Sequence, residues 1–257
     1  MLYNAPLTVG STLIATRPKM GLQLYKWLVV IPVLLLSTAS IGTMVIIFYL
    51  LGMPEFSSRV FGKLWPRVNM AVLFMRVRVL GRENIDPNQS YIIAANHQSQ
   101  LDIYVLYGCL NVHFKRAMKQ ELRRVPILGL ACELMGHIFI DRSNTDAARL
   151  SLTEAQTRLK EGISAVFFPE GTRSRSGHLG TFKKGAFRLA LDLAIPVLPI
   201  RIHNTNNILP SGGLDWRPGS ATLRIHPTIT QTGDNPADVN VLSARTRDVI
   251  AEALGDE

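Results

Sequence analysis

The most constraining feature of this sequence is an uncharged, apolar run of 24 residues from Leu28 to Leu51. A helix of that length extends about 36 Å at the standard rise, which is enough to cross a hydrocarbon layer of about 30 Å. Pro32 near its start and Gly42 in its middle allow a kink. The run begins late and lacks a clear small-residue cleavage site, so a removed signal peptide is the weaker interpretation. We therefore expect a hydrophobic helix over residues 28–51.

A second, amphipathic helix is expected over about residues 56–74, after the helix-breaking Gly52 and Pro54. Residues 1–27 show no clear pattern and are expected to be weakly structured. The amphipathic pattern fits a helix lying at a membrane surface, and it fits a helix packed on a protein core equally well. Its apolar positions are Phe56, Val60, Phe61, Leu64, Trp65, Val68 and Val72, and its basic positions are Arg59, Lys63 and Arg67.

The charge balance indicates an anionic partner. The formal net charge is +9, although apolar residues make up 47% of the chain and charged residues only 18%. A basic balance suits nucleic acid, acidic lipid surfaces or phosphorylated substrates. No Lys/Arg-rich run is interleaved with aromatic residues, so nucleic acid is not expected as a partner, and the apolar N-terminal run favours a membrane. Because the larger basic excess follows residues 28–51, we expect the rest of the chain to face the cytoplasm, at the inner membrane if the source is bacterial.

The remainder of the chain alternates short strand patterns with helical patterns, which predicts an α/β sheet covered by helices on both faces. Residues 119–135 contain Pro126 and Gly129 and indicate two short helices, and residues 204–220 indicate a long loop. The predicted strands are 77–80, 91–95, 113–118, 137–140, 164–168, 197–202 and 221–226, and the other predicted helices follow Asp102 or cover 144–162, 185–193 and 242–254.

The first candidate site is the pair His97 and Asp102, which follows the apolar strand pattern of residues 91–95. The imidazole lies where a strand gives way to a helix, with a carboxylate five residues later. A nearby carboxylate can fix the tautomer of a histidine and stabilise its protonated form, which leaves the other ring nitrogen to accept a proton from a hydroxyl. No second histidine or cysteine lies at ligand spacing, so a metal site is not expected.

The second candidate site is the turn after the strand pattern of residues 164–168. Gly171 allows the backbone to approach a ligand closely, Thr172 offers a hydroxyl, and Arg173 offers a planar guanidinium suited to phosphate. Open α/β sheets commonly bind ligands at the carboxyl ends of their strands. The sequence therefore predicts an anion-binding loop near the histidine.

Taken together, these stretches resemble the glycerolipid acyltransferases, and most closely the 1-acylglycerol-3-phosphate (lysophosphatidic acid) acyltransferases. The resemblance runs from about Val77 to about Ile202, with the blocks in the order of the family. The first block is Asn96-His97 with Asp102, the second is Gly136–Arg142, the third is Phe168–Ser174, a further block is Phe182–Phe187, and the last is Ile195–Ile200.

The resemblance implies transfer of a fatty acyl group from a thioester to the free hydroxyl of a lysophospholipid, without a dissociable cofactor. It implies a mixed central sheet covered by helices, similar to that of the glycerol-3-phosphate acyltransferases. Residues 76–257 are then the catalytic domain, and residues 1–75 are the membrane-anchor segment. His97 is the expected base, Asp102 its orienting acid, and Arg173 the first choice for the acceptor phosphate. Further substrate-binding candidates are Glu170, Gly171, Thr172, Lys119, Arg142 and Lys183.

Several alternatives stay open at this stage. Coenzyme A and acyl carrier protein both present the same thioester, and both are anionic, so either can be the donor. The acceptor can instead be glycerol 3-phosphate or a lyso-aminolipid. A non-catalytic lipid-binding protein on the same fold is a third interpretation, against which the intact His97, Asp102 and Glu170 argue.

Overall fold

A single mixed sheet organises the protein, whose computed structural model describes residues 20–141, 163–230 and 239–252. The strands are β1 (Met75–Leu80), β2 (Ile92–Ala95), β3 (Phe114–Lys119), β4 (Ile138–Ile140), β5 (Ser164–Phe167), β6 (Val197–His203) and β7 (Gly219–Ile225). Within the described ranges these seven strands lie in the order β1-β7-β6-β2-β5-β3-β4. β6 and β7 pair antiparallel, and every other neighbouring pair is parallel. The predicted mixed α/β sheet is confirmed.

Helices precede the sheet and connect its strands. They are α1 (Met20–Tyr25), α2 (Ile31–Leu50), α3 (Pro54–Val72), α4 (Leu101–Cys109), α5 (Leu128–Leu134), α6 (Gly185–Leu193), α7 (Thr205–Ile208) and α8 (Val239–Glu252). Two 3₁₀ turns cover Arg82–Asn84 and Gln120–Arg124. The second of these turns and α5 are the two short helices predicted over residues 119–135. The helix predicted over residues 144–162 lies outside the described residues.

The central strands are apolar on both faces because helices cover both sides of the sheet. All four residues of β2 are fully buried. Ile93 and Ala95 face a core that includes Leu106 of α4, whereas Ile92 and Ala94 face a second core that includes Phe187 of α6. This double burial fixes the register of β2, and with it the position of the residues that follow Ala95.

The parallel pairing brings the functional stretches to one edge of the sheet. β2 lies between β5 and β6 and runs parallel to both, and β3 continues the parallel set on the far side of β5. The residues that follow β2, β3, β5 and β6 therefore emerge at the same edge, whereas β7 runs the other way beside β6. Ligand sites of open α/β sheets occupy this carboxyl edge.

The N-terminal helix, as we call the continuous helical segment Met20–Leu50, has 31 residues and is long and apolar enough to cross a membrane by length and composition. It begins eight residues before the predicted start, so the prediction that residues 20–27 are weakly structured was wrong. Lys26 interrupts the uncharged pattern there, but its side chain is largely buried and its Nζ lies 3.4 Å from Asp215 Oδ1. Tyr25 in addition donates a hydrogen bond to the Val72 carbonyl.

Helix α3 packs on the protein through one part of its amphipathic surface. The Trp65 ring packs edge-on against Tyr104 of α4, with centroids 4.9 Å apart. Two basic side chains turn toward the end of α4, where Lys63 donates to the Asn111 side chain and Arg67 donates to a backbone carbonyl. An apolar stripe of α3 remains at the surface, about two fifths exposed at Phe56, Val60 and Leu64.

The long loop predicted over residues 204–220 is partly structured. It contains the one-turn helix α7, and β7 already begins at Gly219. Asn204, at φ 67°, turns the chain into α7, and its side chain donates to the Ser220 carbonyl. Glycine, proline and asparagine did mark a break in the sequence, but these long-range contacts are invisible to local patterns. Helix α7 reaches the carboxyl edge of the sheet, where its Thr205 contacts Asp102.

Candidate active site

His97 and Asp102 form a hydrogen-bonded pair at the carboxyl edge of the sheet. The His97 Nδ1 atom lies 2.7 Å from Asp102 Oδ2. The carboxylate is fully buried, and the imidazole is only 13% exposed. An ionised carboxylate at this position holds the proton on Nδ1, so the other ring nitrogen, Nε2, is the basic one. The pair can therefore accept a proton from a hydroxyl that approaches Nε2.

The turn between β2 and α4 is shaped to hold the Asp102 carboxylate. The backbone N–H groups of Gln98 and Ser99 donate to Oδ2 at 2.6 Å and 2.8 Å. Asp102 also lies in the first turn of α4, where the helix dipole favours an anion. The Thr205 hydroxyl of α7 donates to the other oxygen, Oδ1. Sequence reasoning missed Thr205, which lies 103 positions from Asp102 in the chain.

The loop after β5 is tied to the backbone of His97. Glu170 Oε1 accepts the His97 N–H at 2.8 Å, and Glu170 Oε2 accepts the Gly180 N–H at 2.9 Å. In the reverse direction, the Ser174 N–H donates to the His97 carbonyl at 2.8 Å. The Phe168 ring stacks on the imidazole, with centroids 3.9 Å apart. In this structure the Glu170 carboxylate therefore joins two loops through backbone donors.

The predicted anion-binding residues lie on this same loop. Gly171 has φ 76°, and a Cβ there would lie 2.8 Å from Lys183 Cε, so only glycine allows the lysine to pass this closely. Thr172 is exposed and Arg173 is half-buried. Within the described part of the chain, the Arg173 guanidinium has no hydrogen-bond or salt-bridge partner, which leaves its donors available to a ligand.

Of the other two predicted cations, Lys119 and Arg142, only Lys119 lies among the described residues. Lys119 ends β3 and so emerges at the same edge as His97, but its Nζ is paired with Glu121 Oε1 at 2.7 Å, and both side chains are more than half exposed. Arg142 lies outside the described residues, directly after Asp141. No group of three metal-ligating side chains occurs among the residues that the structure describes.

Two other features of the fold do not belong to this site. His137, from the second block of the resemblance, is buried between Tyr107 and the Arg116 backbone, and burial holds its pKa well below the usual range. A cleft of about 540 Å³ lies at the opposite, amino edge of the sheet, lined among others by Lys63, Tyr107 and His113. Neither contacts His97.

The acyltransferase family model matches residues 76–203, which include strands β2 to β6 and the histidine–aspartate pair at the carboxyl edge of the sheet. The crystal structure of the 1-acyl-sn-glycerophosphate (LPA) acyltransferase PlsC from Thermotoga maritima superposes with a TM-score of 0.74 at 26% identity, covering 92% of this chain and 96% of that one. The chain belongs to the 1-acyl-sn-glycerol-3-phosphate acyltransferase family.

Similar sequences are found in distant organisms. The 1-acyl-sn-glycerol-3-phosphate acyltransferase alpha of Ovis aries is 36% identical over 174 residues, which cover 67% of this chain and 61% of the ovine protein. The chloroplastic LPAT1 of Arabidopsis thaliana is 34% identical over 194 residues, or 75% of this chain and 52% of that protein. An uncharacterized acyltransferase of Schizosaccharomyces pombe is 32% identical, covering 80% of this chain and 75% of that one. The chain thus spans about three fifths of the ovine relative and about half of the plant one.

Proposed function

We propose that the protein is a membrane-bound O-acyltransferase that moves a fatty acyl group from an acyl thioester to the free hydroxyl of 1-acylglycerol-3-phosphate, which gives phosphatidic acid. The observation that carries the proposal is the buried Asp102 carboxylate 2.7 Å from His97 Nδ1, beside a loop that presents Arg173. The ovine and Arabidopsis relatives are named for this acceptor, which supports the same choice here.

The proposed mechanism is a direct attack by the acceptor. His97 Nε2 takes the proton of the lipid hydroxyl as its oxygen forms a bond to the thioester carbonyl carbon. The C–S bond then breaks, and the proton held by His97 passes to the departing thiolate. Asp102 stabilises the imidazolium between these steps. No acyl-serine or acyl-cysteine intermediate is required, because the acceptor oxygen is itself the nucleophile.

Arg173 is the residue proposed to bind the acceptor phosphate. Its unpaired donors and its position directly before Ser174, whose N–H donates to the His97 carbonyl, support this role. Guanidinium and phosphate can form two parallel charge-assisted hydrogen bonds. Lys183, which crosses Gly171, and Lys119 at the end of β3 are proposed as secondary cations, together with Arg142, which lies outside the described residues. Gly171 and Thr172 shape the loop that leads to Arg173.

Replacing Arg173 with alanine is expected to lower kcat/KM for the acceptor by about 10- to 100-fold, because charge-assisted hydrogen bonds to the phosphate are lost. The loss is expected mainly as a higher KM for the acceptor, with the KM for the donor unchanged. Arg175→Ala removes an exposed arginine two positions away and serves as the matched control. An unchanged acceptor KM in Arg173→Ala would rule out this residue as the phosphate ligand.

The function itself is tested with the purified full-length protein in detergent. We expect phosphatidic acid from 1-acylglycerol-3-phosphate, and slower acylation of glycerol 3-phosphate and of a lyso-aminolipid offered at the same concentration. Acyl-coenzyme A and acyl-acyl carrier protein are each offered as donor, because either thioester fits the chemistry. Absence of turnover with both donors and all three acceptors contradicts the proposal and favours a lipid-binding role.

The domain organisation is also a proposal. Residues 1–75 are the anchor, and residues 76–257 are the catalytic domain facing the cytoplasm. Exposed leucines on the N-terminal helix and the apolar stripe of α3 support contact with lipid, since both surfaces are adjacent and otherwise in water. Protease digestion of inverted and right-side-out vesicles tests the orientation, because only inverted vesicles are expected to expose the catalytic domain.

Introducing charge at the middle of the N-terminal helix is expected to detach the protein from membranes. Leu35 and Leu36 are about two thirds exposed, so Leu35→Lys with Leu36→Lys leaves the protein core intact. Each charge at a helix centre costs about 2.5–3.5 kcal/mol on insertion. The wild type is expected to resist alkaline carbonate washing and the double variant to be released. Val241→Lys, at an equally exposed position of α8, is the control and is expected to stay bound. Release of the wild type itself contradicts the anchor.

A further inference from the structure

The turn that carries the histidine–aspartate pair is hydrogen-bonded at three places to the end of β6 and the chain that follows it. The Asn96 side chain exchanges two hydrogen bonds with the backbone of Ile202, at 2.9 Å and 2.7 Å. The Ser99 hydroxyl donates to the Leu209 carbonyl at 2.7 Å. The third connection, from Thr205 to Asp102, is the one that reaches the carboxylate itself. The 202–209 segment therefore forms a wall of the site.

Thr205 is held rigidly in this wall. Its side chain is fully buried, and its carbonyl accepts the Leu209 N–H at 2.9 Å, which closes the single turn of α7. Asn204 enters that turn from the left-handed region of backbone conformation. A buried, branched side chain on a closed turn has little rotamer freedom. Its hydroxyl is therefore a fixed donor.

The two oxygens of Asp102 are used differently. Oδ2 lies within hydrogen-bond distance of three donors, namely the His97 ring and the backbone N–H groups of Gln98 and Ser99. Among the described residues, Oδ1 accepts only from Thr205. Because the carboxylate is fully buried, water does not replace a lost donor easily, and an oxygen without a donor is costly. Without the Thr205 hydroxyl, Oδ1 has no hydrogen-bond donor among the described residues.

We infer that Thr205 is a positioning residue for the base: its hydroxyl fixes the rotation of the Asp102 carboxylate so that Oδ2 faces His97 Nδ1, and by donating to Oδ1 it draws part of the negative charge away from Oδ2 and limits how tightly the pair holds a proton. This inference rests on the proposed function. Thr205 acts through Asp102, and does not touch the reacting atoms.

Removal of the Thr205 hydroxyl is expected to shift the pH dependence of activity in one direction. Without the Thr205 donor, more negative charge remains on the Asp102 oxygen that faces His97. The imidazolium is then more stable, so we expect His97 to lose its proton at a higher pH. The acid limb of the kcat/KM profile then moves to higher pH. A hydrogen bond to a charged group is worth about one pH unit in such a shift. Loss of the fixed carboxylate rotation also lowers the plateau rate.

The experiment compares Thr205→Val, which removes the hydroxyl at nearly constant shape, with Thr205→Ser, which keeps it. We expect Thr205→Val to move the acid limb upward by about half to one pH unit and to lower the plateau by about 10-fold. Thr205→Ser is expected to stay within about threefold of the wild type with an unshifted limb. Thr246→Val is the matched control, since it removes a fully buried threonine hydroxyl that, within the described ranges, bonds only the Leu242 carbonyl in α8.

A second readout separates this inference from the proposed reaction. Labelled histidine NMR of the full-length protein in detergent follows the His97 ring titration without any substrate. An upward shift in Thr205→Val in a protein without turnover supports the positioning role while the proposed reaction fails. An unshifted His97 titration, or a plateau loss without a pH shift, overturns the inference. If Thr205→Val does not fold, Thr205→Cys provides a weaker donor, for which a smaller upward shift is expected.

Discussion

Replacing His97 with alanine is expected to lower kcat by about 10²–10⁴-fold, the contribution that a general base usually makes. Nε2 is the nitrogen left basic by the 2.7 Å contact of Nδ1 with Asp102, and the site offers the acceptor hydroxyl no equivalent base among the described residues. The acceptor KM is expected to change little, because the phosphate is bound elsewhere. Initial rates of phosphatidic acid formation with the purified variant provide the measurement.

The control for this substitution is His178→Ala. His178 is exposed and lies on the same loop as Arg173, so it tests the loss of a histidine near the site without removing the base. It is expected to retain the wild-type rate. A His97→Ala protein that remains folded and keeps more than about a tenth of the wild-type kcat would contradict the assignment of His97 as the base.

The second large effect is expected for Asp102→Asn, with a fall in kcat of about 10³–10⁴-fold. The amide cannot accept on both atoms, so its NH₂ group faces either the Gln98 and Ser99 N–H donors or the Thr205 hydroxyl. When the NH₂ group takes the place of Oδ2, it donates to Nδ1 of His97, which moves the ring proton to Nε2 and leaves the wrong tautomer for a base. The pH profile of kcat/KM tests whether the fall in kcat comes from an altered imidazole.

The direction of the pH shift distinguishes this variant from Thr205→Val. Loss of the carboxylate charge destabilises the imidazolium, so the residual activity of Asp102→Asn is expected to persist to lower pH than in the wild type. Thr205→Val is expected to shift the limb in the opposite direction. A lower melting temperature of Asp102→Asn is also expected, because buried donors lose their acceptor. Equal shifts in both variants would mean that the carboxylate does not control the imidazole.

Local patterns in the sequence were sufficient for the elements that carry the site. The strand pattern of residues 91–95, the five-residue spacing from His97 to Asp102, and the polar turn after residue 168 each depend on neighbours in the chain. Parallel pairing of β2 with β5 then brings the two turns together, as the rule for carboxyl edges predicts.

Other contacts were out of reach because they depend on tertiary structure. Nothing in the sequence around Thr205 marks its hydroxyl as a partner of Asp102. The acceptance of backbone hydrogen bonds from His97 and Gly180 by the two Glu170 oxygens could not be predicted from the sequence either, which presents the glutamate only as a substrate-binding candidate. The start of the N-terminal helix was misplaced because Lys26 is charged, although in the fold Asp215 partners it.

The Glu170 contacts have a consequence for selectivity. They join the turn bearing His97 to the loop bearing Arg173, so hydrogen bonds of the fold set the separation between the backbones of these two segments. In the proposed reaction, that separation favours acceptors with a particular number of bonds between the hydroxyl and the phosphate. It therefore influences which hydroxyl of the acceptor is acylated.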